Sequence, residues 1–344
     1  MQDRALAPLK LSPFLSRPLW GGHILASRYA KDADPHASIG ESWEIYDADQ
    51  VVDGPFAGHT LRDVATSLGE RLLGSHASHS GHDAFPLLIK LIDAARQLSI
   101  QVHPNDEQAR RLEHVPFGKT EAWHILQAQS GAKLIYGVKR LLTVDELVRG
   151  ANDGDLERDV CEIEVAAGDT VYVPAGTIHS IGAGILLYEV QQTSETTYRL
   201  YDWRRLDSAG KPRELHVEKA AQVALLAPSS EGVRHLRDCR RTSSGAIELV
   251  RCPYFLVERV DVSEPMSRDP GGQSFEAVTV IQGDVRLVSS SNAWPPVPVR
   301  AGQSVLVPAA SDPYRIVSTE GTAASALISS IPAPSSSTIV KPNT

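Results

Sequence analysis

Cysteine is scarce in this chain: Cys161, Cys239 and Cys252 are the three in 344 residues, and no two stand in a C-x-x-C spacing. That excludes a disulfide framework and points to a reducing cytoplasm. Long apolar runs are missing as well. None approaches the roughly 18 to 20 residues a membrane helix needs, and the opening MQDRALAPLKLSPF lacks the continuous apolar core of a signal peptide. A soluble protein without a membrane partner is expected. Nor is there a basic excess: the formal charge is −8 and the isoelectric point near 5.8, and no basic helix-turn-helix segment is present. Nucleic acid is therefore excluded as a partner, since it needs a basic face. A local cluster of Lys and Arg can still take an anionic ligand.

What the chain has is turn residues and short β-branched runs. Twenty-five glycines and 22 prolines punctuate segments such as DTVYVP, GILLYEV, EAVTVI, DVRLV and QSVLVP, which read as strands. Helix signals are fewer: HTLRDVATSLGERLLG from residue 59, NDEQARRLEH from 105, TVDELVRG from 143 and LHVEKAAQVALLA over 215–227. Thr143 and Glu146 have the spacing of a capping box. The chain also repeats itself. AGDTVYVPAGTIHSI (167–181) aligns with AGQSVLVPAASDPYRI (301–316), and AWHILQAQSGAKLIYG (122–137) has a weaker echo in FEAVTVIQGDVRLVS (275–289). A duplicated β unit explains both pairs. Gly131 and Gly168 are 37 positions apart and Gly283 and Gly302 only 19, so the first copy carries about 18 extra residues, the size of a helical insertion over about 141–160. Aligned in this way, Pro313 stands where the first copy has His179, and Gln273 where it has Glu121. The second copy is accordingly expected to fold alike without a metal. The expected division is a catalytic domain over 1–235, a smaller C-terminal domain over 236–330 and a flexible Ser/Pro-rich tail over 331–344.

In LSIQVHPND (98–106), Gln101 and His103 are two apart on an extended run, so both side chains face the same way, and Pro104 ends the strand. GKTEAW supplies a second such pair, Lys119 and Glu121. VPAGTIH places His179 just after a tight turn. Two imidazoles, a carboxylate and an amide oxygen form a plausible N₂O₂ set for a divalent metal, and zinc accepts such ligands. The spacing Gly168, Pro174, Gly176, His179 is similar to the second signature of the cupin β-barrels, and the duplication suits a bicupin: mainly β, two jelly-roll-like barrels with a few helices.

RPLWGG (17–22), GESWEI (40–45), FPLLIKLIDA (85–94), LSIQVHPND, GKTEAWHIL, VPAGTIHSIGAGILLYEVQQTSETTYRLYDW (173–203) and LHVEKA (215–220) resemble, in order, the motifs of the type I phosphomannose isomerases, particularly the short bacterial form. The resemblance covers residues 17 to 220. It implies a zinc-dependent aldose–ketose isomerase acting on a hexose 6-phosphate, with one Zn²⁺ per chain held by Gln101, His103, Glu121 and His179, as a monomer or homodimer. Arg199, by the same analogy, stabilises an enediolate or holds the phosphate. Glu189 and Glu195 are candidate bases, and an even spacing on LLYEVQQTSE points both toward a barrel interior. Lys119 and Lys90 can add positive charge. Trp20 either walls the sugar pocket or packs in the core, and Ser99 points with Gln101 toward substrate. Glu195 departs from the family, which more often has Asp in its SDTTYR run. The competing readings are a non-catalytic sugar-binding or regulatory cupin, which would be expected to have lost metal ligands, and a cupin using iron or manganese for oxygen chemistry, which usually wants a third histidine.

Overall fold

Strands dominate the computed structural model, which describes residues 5–77, 84–206, 210–229, 232–319 and 323–334. The chain forms two units. One comprises Phe14–Trp43 and Leu88–Asp238, the other Met1–Pro13, Glu44–Leu87 and Cys239–Thr344. The division falls after Asp238, and the segments 1–13 and 44–87 group with the C-terminal strands. The reason is backbone pairing. Leu9–Lys10 adds an antiparallel edge strand to Ser304–Val307, with Leu9 opposite Leu306. Ala309 N–H donates to the Leu72 carbonyl at 3.0 Å and Ala310 N–H to that of Arg71 at 2.9 Å. Phe85 packs its ring 4.6 Å from that of Phe275. In the segment expected to be a flexible tail, Ile331 N–H donates to Ser274 Oγ at 2.9 Å, and 335–344 lie outside the described residues.

In the first unit, a sheet of seven strands has the order Val233–Arg234, Thr170–Val173, Glu121–Ala128, Ile185–Gln192, Leu87–Ala94, Glu41–Ile45, Phe14–Ser16. A five-stranded sheet runs Tyr198–Tyr201, Ile100–Val102, His179–Ile181, Lys133–Val138, Val160–Glu164. The five-stranded sheet is buried on both faces, which its alternation makes possible. Leu134, Tyr136 and Ile181 join a core with Trp123, Val171 and Leu187 of the larger sheet. Ile100, Val102, Ile135 and Leu200 point the opposite way, into a cluster with Leu147, Ala151, Ala220 and Val223. Those four lie on the helices Val144–Asp153 and Val217–Val223. The helix Val144–Asp153 thus roofs the outer face of the five-stranded sheet. Its N-terminus is closed by the capping box read from the sequence: Thr143 accepts from Glu146 N–H and Glu146 answers to Thr143 N–H.

The second unit repeats this plan with one strand fewer, since its smaller sheet has no counterpart of Tyr198–Tyr201. Its seven-stranded sheet is Leu9–Lys10, Ser304–Val307, Glu276–Gln282, Ala324–Ser330, Leu256–Val262, Ile247–Arg251, Arg240–Arg241, and its four-stranded sheet Met266–Arg268, Tyr314–Ser318, Val285–Ser289, Val297–Val299. The strand register corrects the alignment made on sequence. Glu121 faces Val173 in the first unit and Glu276 faces Val307 in the second. His179 faces Gln101, and Tyr314 faces Arg268. Glu276 and Tyr314 therefore occupy the places assigned above to Gln273 and Pro313. The slip arose because the first copy has three more residues between its glutamate and the following turn glycine, and the second has one more before Tyr314. A glycine-anchored alignment absorbs such insertions silently.

Two substitutions on the roofing helix separate capping from packing. Thr143→Ala removes one cap and is expected to cost about 0.5–2 kcal/mol of unfolding free energy. Leu147→Ala, at a fully buried position, is expected to cost about 2–5 kcal/mol. Urea unfolding of both variants checks the order, and an equal or reversed ranking would show that the helix is not held by its buried face.

Candidate metal centre and active site

One row of paired residues crosses the inner face of the five-stranded sheet. Arg199 faces Gln101, Gln101 faces His179, and His179 faces Tyr136. Directly opposed residues share a face, so all four side chains point inward, and His103, two positions from Gln101, joins them. Glu121, at the start of its strand in the larger sheet, meets this row. Its Oε1 lies 3.3 Å from His179 Nε2 and its Oε2 3.5 Å from His103 Nε2. The two imidazole centroids are 4.7 Å apart. His103, Glu121 and His179 are all buried, with ligand-type atoms within 4.8 Å of one another. The Gln101 amide sits 3.3 Å from His179 Nε2, and a half-turn of that amide presents its oxygen to the same point.

Backbone carbonyls set the tautomers. His103 Nδ1 donates to Thr196 O at 2.9 Å and His179 Nδ1 to Thr177 O at 2.8 Å, which leaves both Nε2 lone pairs aimed at Glu121. His103 Nε2 and both Glu121 oxygens have no hydrogen-bond partner. Buried polar atoms are normally satisfied, and lone pairs facing a carboxylate repel unless a cation or proton lies between them. Two nitrogens and a carboxylate, with an amide oxygen within reach, fit zinc.

The surrounding loops are tied to this point. Gly118 precedes Lys119, and a side chain there would strike the Pro104–Asp106 backbone at 2.4–2.6 Å; the close approach lets Lys119 N–H bond the Pro104 carbonyl at 2.9 Å. Gly176, at φ +87°, forms the turn before His179 and donates its N–H to the His103 carbonyl at 2.8 Å. Beyond Gln192 the chain turns back at once, because Gln191 Nε2 donates to the Ser194 carbonyl at 2.6 Å. That turn brings Thr196 onto His103.

Lys119 and Glu189 flank the centre. Lys119 Nζ is 3.2 Å from Glu121 Oε2. Glu189 accepts from Trp123 Nε1 at 2.9 Å on Oε2 and has Lys90 Nζ 3.4 Å from Oε1. Burial pushes Glu121 up to about 7, with Lys119 opposing. Burial acts on Glu189 in the same sense, yet Lys90 and Lys119 outweigh it and hold that carboxyl below its usual range. Burial lowers His179 to about 4 and His103 well below the ordinary imidazole value, with Lys119 and His179 adding to the effect. Lys90 stays charged: burial opposes its charge, but Glu41 and Glu189 prevail and raise it.

The remaining expected residues divide. Ser99 Oγ donates to Gln101 Oε1 at 3.4 Å. Arg199 is half-buried, donates Nη1 to the Glu214 carbonyl at 2.8 Å, and keeps a buried Nε without a partner. Lys90 is engaged by Glu189, by Glu41 at 4.0 Å and by the Trp43 ring at 4.8 Å, so it is built into the wall. Trp20 packs into the core with Ile92, Leu98 and Trp123. Glu195 does not share the interior with Glu189: the strand ends at Gln192 and Glu195 is exposed in the turn, so the even spacing no longer means a common face. Sequence reasoning missed Glu41, Trp43, Trp123 and Gln191. GESWEI marked the first two only as a motif, and a carbonyl such as Thr196 O has no residue signature at all.

Metal uptake requires Glu121 ionised and both Nε2 atoms free. With Glu121 near 7 and His179 near 4, zinc binding at about pH 5.5 is expected to expel about one proton, from the carboxyl, and almost none above about pH 8. Calorimetry in buffers of differing ionisation enthalpy counts the protons. Release of two near pH 5.5 would place them on the imidazoles and contradict the tautomers described.

The family description "phosphomannose isomerase type I, catalytic domain" matches residues 9–119. Mannose-6-phosphate isomerase ManA of Bacillus subtilis (strain 168) is 36% identical over 310 residues, which cover 88% of this chain and 93% of the relative. The mannose-6-phosphate isomerase of Streptococcus mutans is 32% identical, with 88% and 92% covered. Among solved structures, B. subtilis mannose 6-phosphate isomerase superposes with a TM-score of 0.82 at 32% identity, covering 94% of this chain and 99% of that one. A zinc-bound mannose 6-phosphate isomerase, 14% identical, shares the fold at a TM-score of 0.71, with 94% and 99% covered. With more than a third of its residues shared across most of its length with an isomerase of that name, the chain belongs to the type I phosphomannose isomerase family.

Proposed function

We propose that the protein interconverts mannose 6-phosphate and fructose 6-phosphate by proton transfer through an enediol, with one zinc ion per chain held by Gln101, His103, Glu121 and His179. The carrying observation is the buried convergence of two imidazole lone pairs on a carboxylate that lacks any hydrogen-bond donor. The family supports the substrate, and the free cysteines suit a reducing cytoplasm. No helix among the described residues is long and apolar enough to cross a membrane.

Isomerisation moves a proton between two carbons that share an enediol, while charge builds on oxygen. Zinc, when bound, supplies Lewis-acid stabilisation of that oxygen or of a water beside it. The side chains do the rest. Glu189 is held ionised by Lys90 and Lys119. Its Oε2 is anchored by Trp123 at 2.9 Å while Oε1 has only the looser Lys90 ammonium at 3.4 Å, so Oε1 is the atom assigned to take and return the proton. Lys119 adds positive charge beside Glu121 and the reacting oxygens. Arg199, at the end of the ligand row, has Nε free to donate to the growing oxyanion.

A coupled assay with several hexose 6-phosphates, on metal-stripped and zinc-reloaded protein, tests the reading. Activity is expected only after reloading, with mannose 6-phosphate the preferred aldose. Arg199 supplies the sharper test. If it acts on charge that appears only in the transition state, Arg199→Ala should lower kcat on the order of 10²- to 10³-fold while sugar-phosphate affinity and zinc content change little. Lysine at this position should rescue only in part, lacking the planar fork. A fall in affinity with kcat intact would make Arg199 a phosphate holder.

A further inference from the structure

The second barrel has lost the metal ligands but not the place where they stood. Counted by strand register, Arg268 stands where Gln101 does, Tyr314 where His179 does and Glu276 where Glu121 does. The three meet as their counterparts meet. Arg268 Nε donates to Glu276 Oε1 at 2.9 Å, its Nη2 bonds the same carboxylate, and Tyr314 donates its hydroxyl to Glu276 Oε2 at 2.6 Å. Arg268 Nη2 also reaches Glu258 Oε2 at 2.8 Å. Glu258, Glu276 and Tyr314 are buried, Tyr314 completely, and Arg268 is partly buried. Both Glu276 oxygens have donors, whereas both Glu121 oxygens have none. A buried carboxylate needs a counter-charge. In the first barrel a single ammonium, Lys119, approaches one oxygen of Glu121 at 3.2 Å, whereas here a guanidinium and a phenol bond both oxygens of Glu276.

We infer that the second barrel retains a cation site filled by the Arg268 guanidinium, and that it accepts a divalent metal once that guanidinium is removed. Without it, Glu276 and Glu258 are left as two buried, unneutralised carboxylates beside a phenol, an oxygen set suited to a hard or borderline divalent ion. With glutamine at 268 and histidine at 314 the set also gains the amide and imidazole of the first barrel. The histidine counterpart of His103 is absent, because two residues beyond Arg268 the chain has Pro270; Glu258 takes up the position of fourth ligand.

The inference rests on reading the first barrel as a metal centre, and the experiment keeps the two apart. The chain carrying Arg268→Gln and Tyr314→His is stripped with chelator, dialysed against zinc chloride and analysed for metal beside the unsubstituted chain. One additional equivalent per chain is expected, and Glu276→Gln in the same background should abolish it. Zinc in neither barrel of the unsubstituted chain would remove the first reading; equal zinc in a folded substituted chain would remove this one. If the double variant does not fold, Arg268→Met is compared with Arg268→Met/Glu258→Gln. Deleting the second carboxylate should then raise the melting temperature, because it relieves an uncompensated charge. A further fall would show that Glu258 is held by something other than the guanidinium, and the inference would fail.

Discussion

A carboxylate buried between two imidazoles with no donor to either oxygen is the constraint from which the rest of the first unit follows. Moving an ionised group out of water is costly unless it is paired, and Glu121 is fully buried. One ammonium, Lys119, is close to it, on a single oxygen. The ligand cluster therefore wants a second positive charge, and the fold is arranged to keep that want specific. Thr196 and Thr177 carbonyls fix the imidazole tautomers, and the turn enforced by Gln191 supplies one of those carbonyls. Such outer groups commonly matter to metal sites nearly as much as the ligands themselves.

The two barrels solve the same electrostatic problem in opposite ways. A diffusible ion held by His103, Glu121 and His179 would leave the first position chemically open. Where the cation is Arg268, each carboxylate oxygen is already bonded and the interior is closed. A shared order of the seven-stranded sheets with a changed counter-charge thus accompanies an open carboxylate in one barrel and a fully bonded one in the other. The hydrophobic cluster around Tyr314, with Val260, Val278, Leu287 and Ile328, is continuous with that closed polar pair.

Local rules made the metal strand legible. Alternation on Ile100–Val102 put Gln101 and His103 on one face, and the glycine turn placed His179 beside them; both arguments span a few residues and both hold. The capping box at Thr143 was equally readable. Reasoning failed where it ran across a break. Parity from Glu189 to Glu195 assumed one strand, and the Gln191 amide ends that strand early. Arg199 does share the interior, through its pairing with Gln101. The inclusion of residues 44–87 in the second unit depends on partners some two hundred residues away, for which composition and periodicity carry no signal.

Charge explains how an acidic chain can receive an anionic sugar phosphate. Overall the protein carries −8, which by itself would repel it. Around the centre, however, three carboxylates, Glu41, Glu121 and Glu189, face two ammonium groups, Lys90 and Lys119, with the Arg199 guanidinium at the end of the row. The local charge is thus balanced before a metal enters, and a divalent ion makes it positive by two. Exposed acidic residues more than a Debye length of about 8 Å away are screened at physiological salt, while the buried charges are not. The substrate therefore meets the sign of the site more than that of the surface, and a divalent ion bound beside Glu121 would add the attraction for the ligand.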